Sequence, residues 1–271
     1  MESVGLLVVH GVGAQRRDWA DTFVRRVAAA LARRAPDVSL AAAVAWWAPL
    51  TQRREDALAR RTPRGWRWLR RLVVGYGGDL VAYQAPPRVW NVPSWTYAAV
   101  QQRISARLQD VLRGVAGHTG RAPTAPVPLV VVAHSLGSVI FTDFVYDLET
   151  GVTPPRGLDG HYRLSLQALF TLGSPLALYG LRYPTRGLDR PIALAPGGTW
   201  INAFYRADVI GQPLRAESAA YGAAVSEDWR LAPRLWPWYW TPLAHLAYWG
   251  DRRVIDRVAQ QLARAAAASV P

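Results

Sequence analysis

Val131-Val132-Ala133-His134-Ser135-Leu136-Gly137 is the stretch on which the reading of this chain turns. An apolar β-branched run, Leu129-Val130-Val131-Val132, ends in a serine, with Ala133 and Gly137 as small flanking positions. Ser138-Val139-Ile140-Phe141 follows at once with a helix-compatible pattern. The pattern predicts a strand, a sharp turn and a helix, with Ser135 at the apex. A continuous apolar run is what a strand buried on both sheet faces shows. A serine at such a corner is forced into a strained backbone conformation and its hydroxyl is raised at the sheet edge. The competing reading is an ordinary strand-to-helix junction that holds a serine by chance.

The composition bounds the rest. The chain has 271 residues, 51% of them hydrophobic. That suffices for one large α/β domain, 1–271, with a sizeable core. The longest apolar runs fall short of the ~18 residues of a membrane span. Met1 to His10 lacks the basic region and cleavage site of a signal peptide and reads as a core strand, so a cytoplasmic protein is expected. There is no cysteine, which removes disulfides, thiolate nucleophiles and cysteine metal sites. The net charge is +13, and all 32 basic residues are arginine. Such a surface attracts anionic lipid or acidic substrates, although arginine without lysine also fits the codon bias of a GC-rich genome. No zinc-finger spacing, RNP-like motif or P-loop is present, which argues against nucleic acid as a partner.

Strands are expected at Val4–Val9, Val38–Trp46, Leu164–Leu172 and Thr199–Tyr205, with a last short one over Ala223–Trp229. The alanine-rich Val38–Trp46 competes with a short helix. Helices are expected over Asp18–Arg34, Ser94–Leu112 and Asp251–Ala267; Trp19, Phe23, Val27 and Leu31 recur at helical spacing in the first. Gly114–Pro128 and Leu176–Gly198 read as irregular. Strands alternating with helices predict a mostly parallel sheet covered on both faces. From Trp47 to Pro93 the pattern breaks: arginines alternate with Trp66, Trp68 and Leu72, and glycines and prolines interrupt the run. This segment reads as an insertion, 47–93, forming a cap or lid.

His10-Gly11-Val12-Gly13 closes the first strand, where the glycines let backbone approach a substrate without an intervening side chain. The third glycine of a dinucleotide loop is missing. Together with Ala133–Gly137, Thr171-Leu172-Gly173-Ser174-Pro175, Asp208, and His245 with Tyr248-Trp249 behind it, this set resembles the α/β-hydrolase superfamily. The likeness is to its broad lipase and esterase group, which includes inositol-deacylase-like proteins. Ala133 stands where the family usually has glycine.

The resemblance implies an α/β-hydrolase fold and a Ser-His-Asp triad in the chain order serine, acid, histidine. His161 and His245 follow Ser135, and the family order assigns the base to His245. The acid is Asp208, just beyond the Thr199–Tyr205 strand, with Asp228 as runner-up in a solvated pair with Glu227. Asp143 and Asp147 lie on the helix behind the nucleophile. The oxyanion hole falls to Val12 and Leu136. His10, Gly11 and Gly13 form the substrate-side loop, with His10 as a brace rather than a catalyst. No metal and no organic cofactor is implied.

The thirteen tryptophans cluster at 46–47, 66–68, 90–95 and 236–240. They fit core packing or the lining of an apolar acyl pocket, with Trp66 and Trp68 as substrate contacts. The arginines beside them suit a weak peripheral contact with anionic membrane. The expected activity is hydrolysis of carboxylic esters of apolar acyl groups, on small-molecule or lipid substrates. Thioester hydrolysis by the same triad is the alternative enzyme reading, and a non-catalytic binding or scaffold protein is the alternative outside enzymes.

Overall fold

The computed structural model describes residues 2–12, 16, 18–51, 57, 83, 95–119, 126–150, 164–181, 188–232 and 242–268. Among them lie six strands: β1 (Glu2–Val9), β2 (Val38–Ala45), β3 (Val127–His134), β4 (Leu164–Leu172), β5 (Thr199–Tyr205) and β6 (Glu227–Leu231). They form one all-parallel sheet in the order β2-β1-β3-β4-β5-β6. The helices are α1 (Asp21–Arg34), α2 (Trp95–Thr119), α3 (Leu136–Thr150), α4 (Leu176–Gly180), α5 (Ala219–Ala224) and α6 (Arg252–Ala267). Two 3₁₀ turns, Pro242–Leu246 and Tyr248–Gly250, precede α6.

The alternation of side chains along β1 shows how the sheet is covered. Val4, Leu6 and Val8 pack with Phe23, Val27 and Leu31 of α1 and Val254, Val258 and Leu262 of α6. Leu7 and Val9 face the other way, toward Val100, Ile104 and Val111 of α2 and Ile140 and Phe144 of α3. Each such side chain contributes roughly 1.5–3 kcal/mol on burial. The sheet is therefore an α/β layer with helices on both faces, as the alternating pattern predicts.

Tight packing explains the alanine-rich β2, which is a strand and not a helix. A Cβ on Gly114 of α2 would lie 3.0 Å from Ala41 Cβ, and one on Gly5 would lie 2.5 Å from Val111 Cγ1. Larger residues on β2 would push α2 off the sheet. The same contact carries α2 through Gly114 to Thr119, beyond the Leu112 end expected from sequence. Near the C-terminus the structure also departs from expectation. Ser218 accepts a hydrogen bond from Tyr221 N and caps α5, so the last strand starts later, at Glu227. Part of the Leu176–Gly198 stretch is helical, as α4.

The strand order reverses direction between β1 and β3, since the chain moves outward to β2 and then returns to the other side of β1. In open parallel sheets the crevice at such a reversal, outside the carboxyl ends of the strands, is where ligands bind. Both His10-Gly11-Val12 and Ser135 lie there.

Candidate active site

Ser135 sits at the corner between β3 and α3 with φ 53°, the left-handed region, and is the sole non-glycine residue there among the described residues. Such strain costs on the order of 1–3 kcal/mol and persists only where the surroundings impose it. They do so from both sides. The Ser135 N–H donates to Leu172 O at 2.9 Å. Its carbonyl accepts from the Ser138 N–H at 3.0 Å and from the Ser138 hydroxyl at 2.6 Å. Because that hydroxyl proton is engaged, Ser174 Oγ donates to Ser138 Oγ, 2.7 Å away, while accepting from Leu176 N at 3.2 Å. A Cβ on Gly11 would lie 2.4 Å from Ser135 Cβ, and one on Gly137 would lie 2.5 Å from His10 O. Both glycines are therefore required for β1 and α3 to close on the corner. Leu136 opens α3, so its N–H is among those without an intrahelical acceptor. Val12 is joined directly to Gly11 at the same corner.

The structure brings Asp208 and His245 together beneath the same edge. Asp208 follows β5, and His245 lies in the first 3₁₀ turn after β6. His245 Nδ1 is 3.0 Å and 2.9 Å from the two Asp208 carboxylate oxygens. Oδ1 also accepts the Ile210 and Gly211 N–H groups, at 2.9 Å and 3.2 Å, and Oδ2 accepts the Tyr248 hydroxyl at 2.5 Å. Burial alone would raise the Asp208 carboxyl, but the hydrogen bond and charge interaction with His245, helped by Tyr248 and Ile210, hold it down at about 2. An ionised carboxylate against Nδ1 places the imidazole proton there and leaves Nε2 as the basic nitrogen. Ser135, Asp208 and His245 are all buried, so their electrostatic interactions act in a low-dielectric setting.

Gly173, just after β4, joins the two halves. It is in the left-handed region, φ +54°, and a Cβ there would lie 2.6 Å from Asp208 Oδ2 and 2.9 Å from His245 Nδ1. Its N–H donates to Ala203 O on β5. The preceding residue, Leu172, receives the Ser135 N–H. The Thr171–Pro175 motif thus lies between Ser135 and the Asp208–His245 pair.

His10 braces the loop. Its Nδ1 donates to Gly11 O at 2.5 Å, and its Nε2 accepts the Trp47 and Ala48 N–H groups at 3.1 Å and 3.3 Å. The ring stacks on Trp47 at 4.8 Å, and Trp47 Nε1 returns a bond to His10 O at 3.1 Å. With both ring nitrogens engaged inside the protein, His10 is not turned toward a substrate. Burial lowers it to about 3, so it is neutral. His134 is likewise lowered to about 3, by burial and then by His245, against the raising effect of its bond to the His245 main chain.

The other acids have different work. Asp143 and Asp147 on α3 accept hydroxyl bonds from Tyr83 and Tyr97, at 3.2 Å and 2.7 Å, away from the serine corner. Asp228 is not a solvated partner of Glu227. It accepts Asn202 Nδ2 at 2.7 Å, Leu214 N at 2.9 Å and Arg215 N at 2.9 Å, whereas Glu227 pairs with Arg257 at 2.8 Å. Trp47 and Trp200 are core residues. Gly13, Trp66, Trp68 and most of the 47–93 insertion lie outside the described residues, apart from 47–51, 57 and 83.

Sequence reasoning assigned no role to Ser138, Ser174, Tyr248, Gly173 or His134. His134, Gly173, Ser174 and Tyr248 were present in the quoted motifs without a role, and Gly173-Ser174 ends a strand at the same edge as Ser135. Among the described residues no group of three His, Asp or Glu side chains is placed to hold a metal ion. No described helix is long and apolar enough to cross a membrane.

No family model matches the chain, and no curated protein matches it. Among solved structures it is similar to an uncharacterized protein from Pseudomonas aeruginosa, at 12% identity and a TM-score of 0.30. The likeness covers 78% of this chain but only 36% of that one.

Proposed function

We propose that the protein is a serine hydrolase that cleaves carboxylic esters of apolar acyl groups. The observation that carries this reading is the buried Asp208–His245 pair at the strand edge that also holds Ser135 in a strained corner. In this reading Ser135 Oγ attacks the ester carbonyl while His245 Nε2 takes its proton. Asp208 holds the imidazole in orientation and stabilises the imidazolium. The oxyanion is received by the N–H groups of Val12 and Leu136. His245 then protonates the departing alcohol and activates the water that clears the acyl-enzyme.

Exposed apolar side chains among the described residues support the substrate class. Trp95, Leu178, Leu181, Val209 and Leu246 are all exposed, by 64, 46, 78, 66 and 55%. Trp95 opens α2, Leu178 lies within α4 and Leu181 just after it, Val209 follows β5 and Leu246 ends the first 3₁₀ turn after β6, whereas the exposed Leu148 sits near the far end of α3. An α/β-hydrolase core capped by the 47–93 insertion goes with this reading. Tyr83 of the insertion is buried and held by Gln101 Nε2 at 2.6 Å.

A fluorophosphonate probe tests the proposal. Labelling is expected on Ser135, and Ser135→Ala should abolish both labelling and turnover of a p-nitrophenyl ester, with a loss on the order of 10⁶ in kcat. A folded Ser135→Ala variant that retains its turnover would rule the proposal out.

A further inference from the structure

We propose that His134 is a positioning residue for the base of this site, acting on the main chain of His245 and not on substrate. The inference rests on the serine-hydrolase reading above. His134 is the last residue of β3 and is bonded directly to Ser135. Its Nε2 lies 2.7 Å from the carbonyl oxygen of His245, 111 positions further along the chain. A carbonyl only accepts, so the His134 proton is on Nε2. The two rings lie 4.6 Å apart, and Trp249 and Tyr248 flank His134 at 5.4 Å and 5.6 Å.

The need for such an anchor follows from what carries the base. His245 sits in a single 3₁₀ turn, Pro242–Leu246. A turn of that length has poor hydrogen-bond geometry and does not hold its shape without tertiary support. Asp208 orients the imidazole, and the main chain of the same residue is held by a second group. The His134 bond ties that main chain to the residue next to the nucleophile. Nucleophile and base are thereby referenced to one strand end. A neutral His134 also places no positive charge beside His245 when the latter takes up the serine proton.

The test uses the full chain with two substitutions. The side-chain amide of glutamine places an N–H near the position of Nε2, whereas that of asparagine falls short. His134→Asn should lower both kcat on p-nitrophenyl butyrate and the rate of fluorophosphonate labelling of Ser135 by about 10²-fold, with KM within about threefold, the scale of loss for a small misplacement of reacting groups. His134→Gln should stay within about tenfold of wild type. Equal impairment of the two variants, or wild-type rates in His134→Asn, overturns the proposal while leaving the hydrolase reading intact. A wild-type protein that the probe does not label overturns both. Imidazole nitrogen NMR of the wild type needs no variant: it should show the His134 proton on Nε2, and a proton on Nδ1 overturns the proposal.

Discussion

Asp208 and Asp228 belong to neighbouring strand regions of one sheet, and each carboxylate accepts several N–H or O–H groups, yet they serve different ends. Asp208 receives two main-chain N–H groups, a tyrosine hydroxyl and the imidazole of His245. Asp228 receives two main-chain N–H groups and the Asn202 amide, all from fixed donors. A carboxylate surrounded by fixed donors holds a loop in place. One that faces an imidazole couples its charge to a group whose proton can move. The two acids, one just past the carboxyl end of β5 and the other at the start of β6 beside Asn202, are thus divided by their partners.

The sharpest way to break the comparison is Asp208→Asn. The amide keeps the shape but favours the wrong imidazole tautomer, so kcat should fall by up to about 10⁴. Steady-state kinetics at neutral pH on a variant shown to be folded gives the answer. A small loss would move the orienting role elsewhere.

Acid should separate the two regions next, because His134 and His245 lie on the Asp208 side, with His10 at the same strand edge. His10 and His134 are held neutral, at about 3 against an ordinary 6.5. Below pH 6.5 the unfolded chain takes up these protons and the folded chain does not. Stability therefore falls with pH between 6.5 and 3, by about 1.4 kcal/mol per pH unit for each histidine. Asp208 acts in the same direction lower down. Its folded value of about 2 lies below 3.8, so its contribution is present above about pH 4 and lost as pH falls toward 2. Denaturant unfolding at pH 7.5 and pH 5 should show a loss of several kcal/mol, and a flat profile would contradict the burial of both rings.

Gly173→Ala probes the junction between Ser135 and the Asp208–His245 pair. The added methyl would press on Asp208 and His245 at a left-handed backbone position. A loss of about 10² in kcat is expected from the displacement, accompanied by about 1–2 kcal/mol of destabilisation. Thermal melting and turnover measured together distinguish the two contributions.

The smallest effect should come from Asp228→Asn. It removes acceptor capacity from the brace at Leu214 and Arg215 and should cost about 1 kcal/mol, with kcat within a few-fold of wild type. A loss comparable to that of Asp208→Asn would reverse the assignment of the two acids.

The local features of the site were legible in the chain. The apolar run before Ser135 and the small residues at Ala133 and Gly137 specify a strand-to-helix corner through steric and burial rules that act over a few residues. The strands at Leu164–Leu172 and Thr199–Tyr205 were read correctly for the same reason. The last strand was misplaced because the Ser218 cap competes with strand propensity over Ala219–Ala224.

What the sequence by itself determined is the alternating α/β architecture, the serine at its corner and the small set of acids and histidines able to serve it. Tertiary structure alone decided which of them meet. Asp208 and His245 lie 37 positions apart, and the bonds from His134 to His245 and from Ser174 to Ser138 span 111 and 36. No periodicity or propensity reaches that far. Such partners are set by the order β2-β1-β3-β4-β5-β6, which gathers the ends of separate strands at one edge, and by the need of every buried polar group there to find a hydrogen bond.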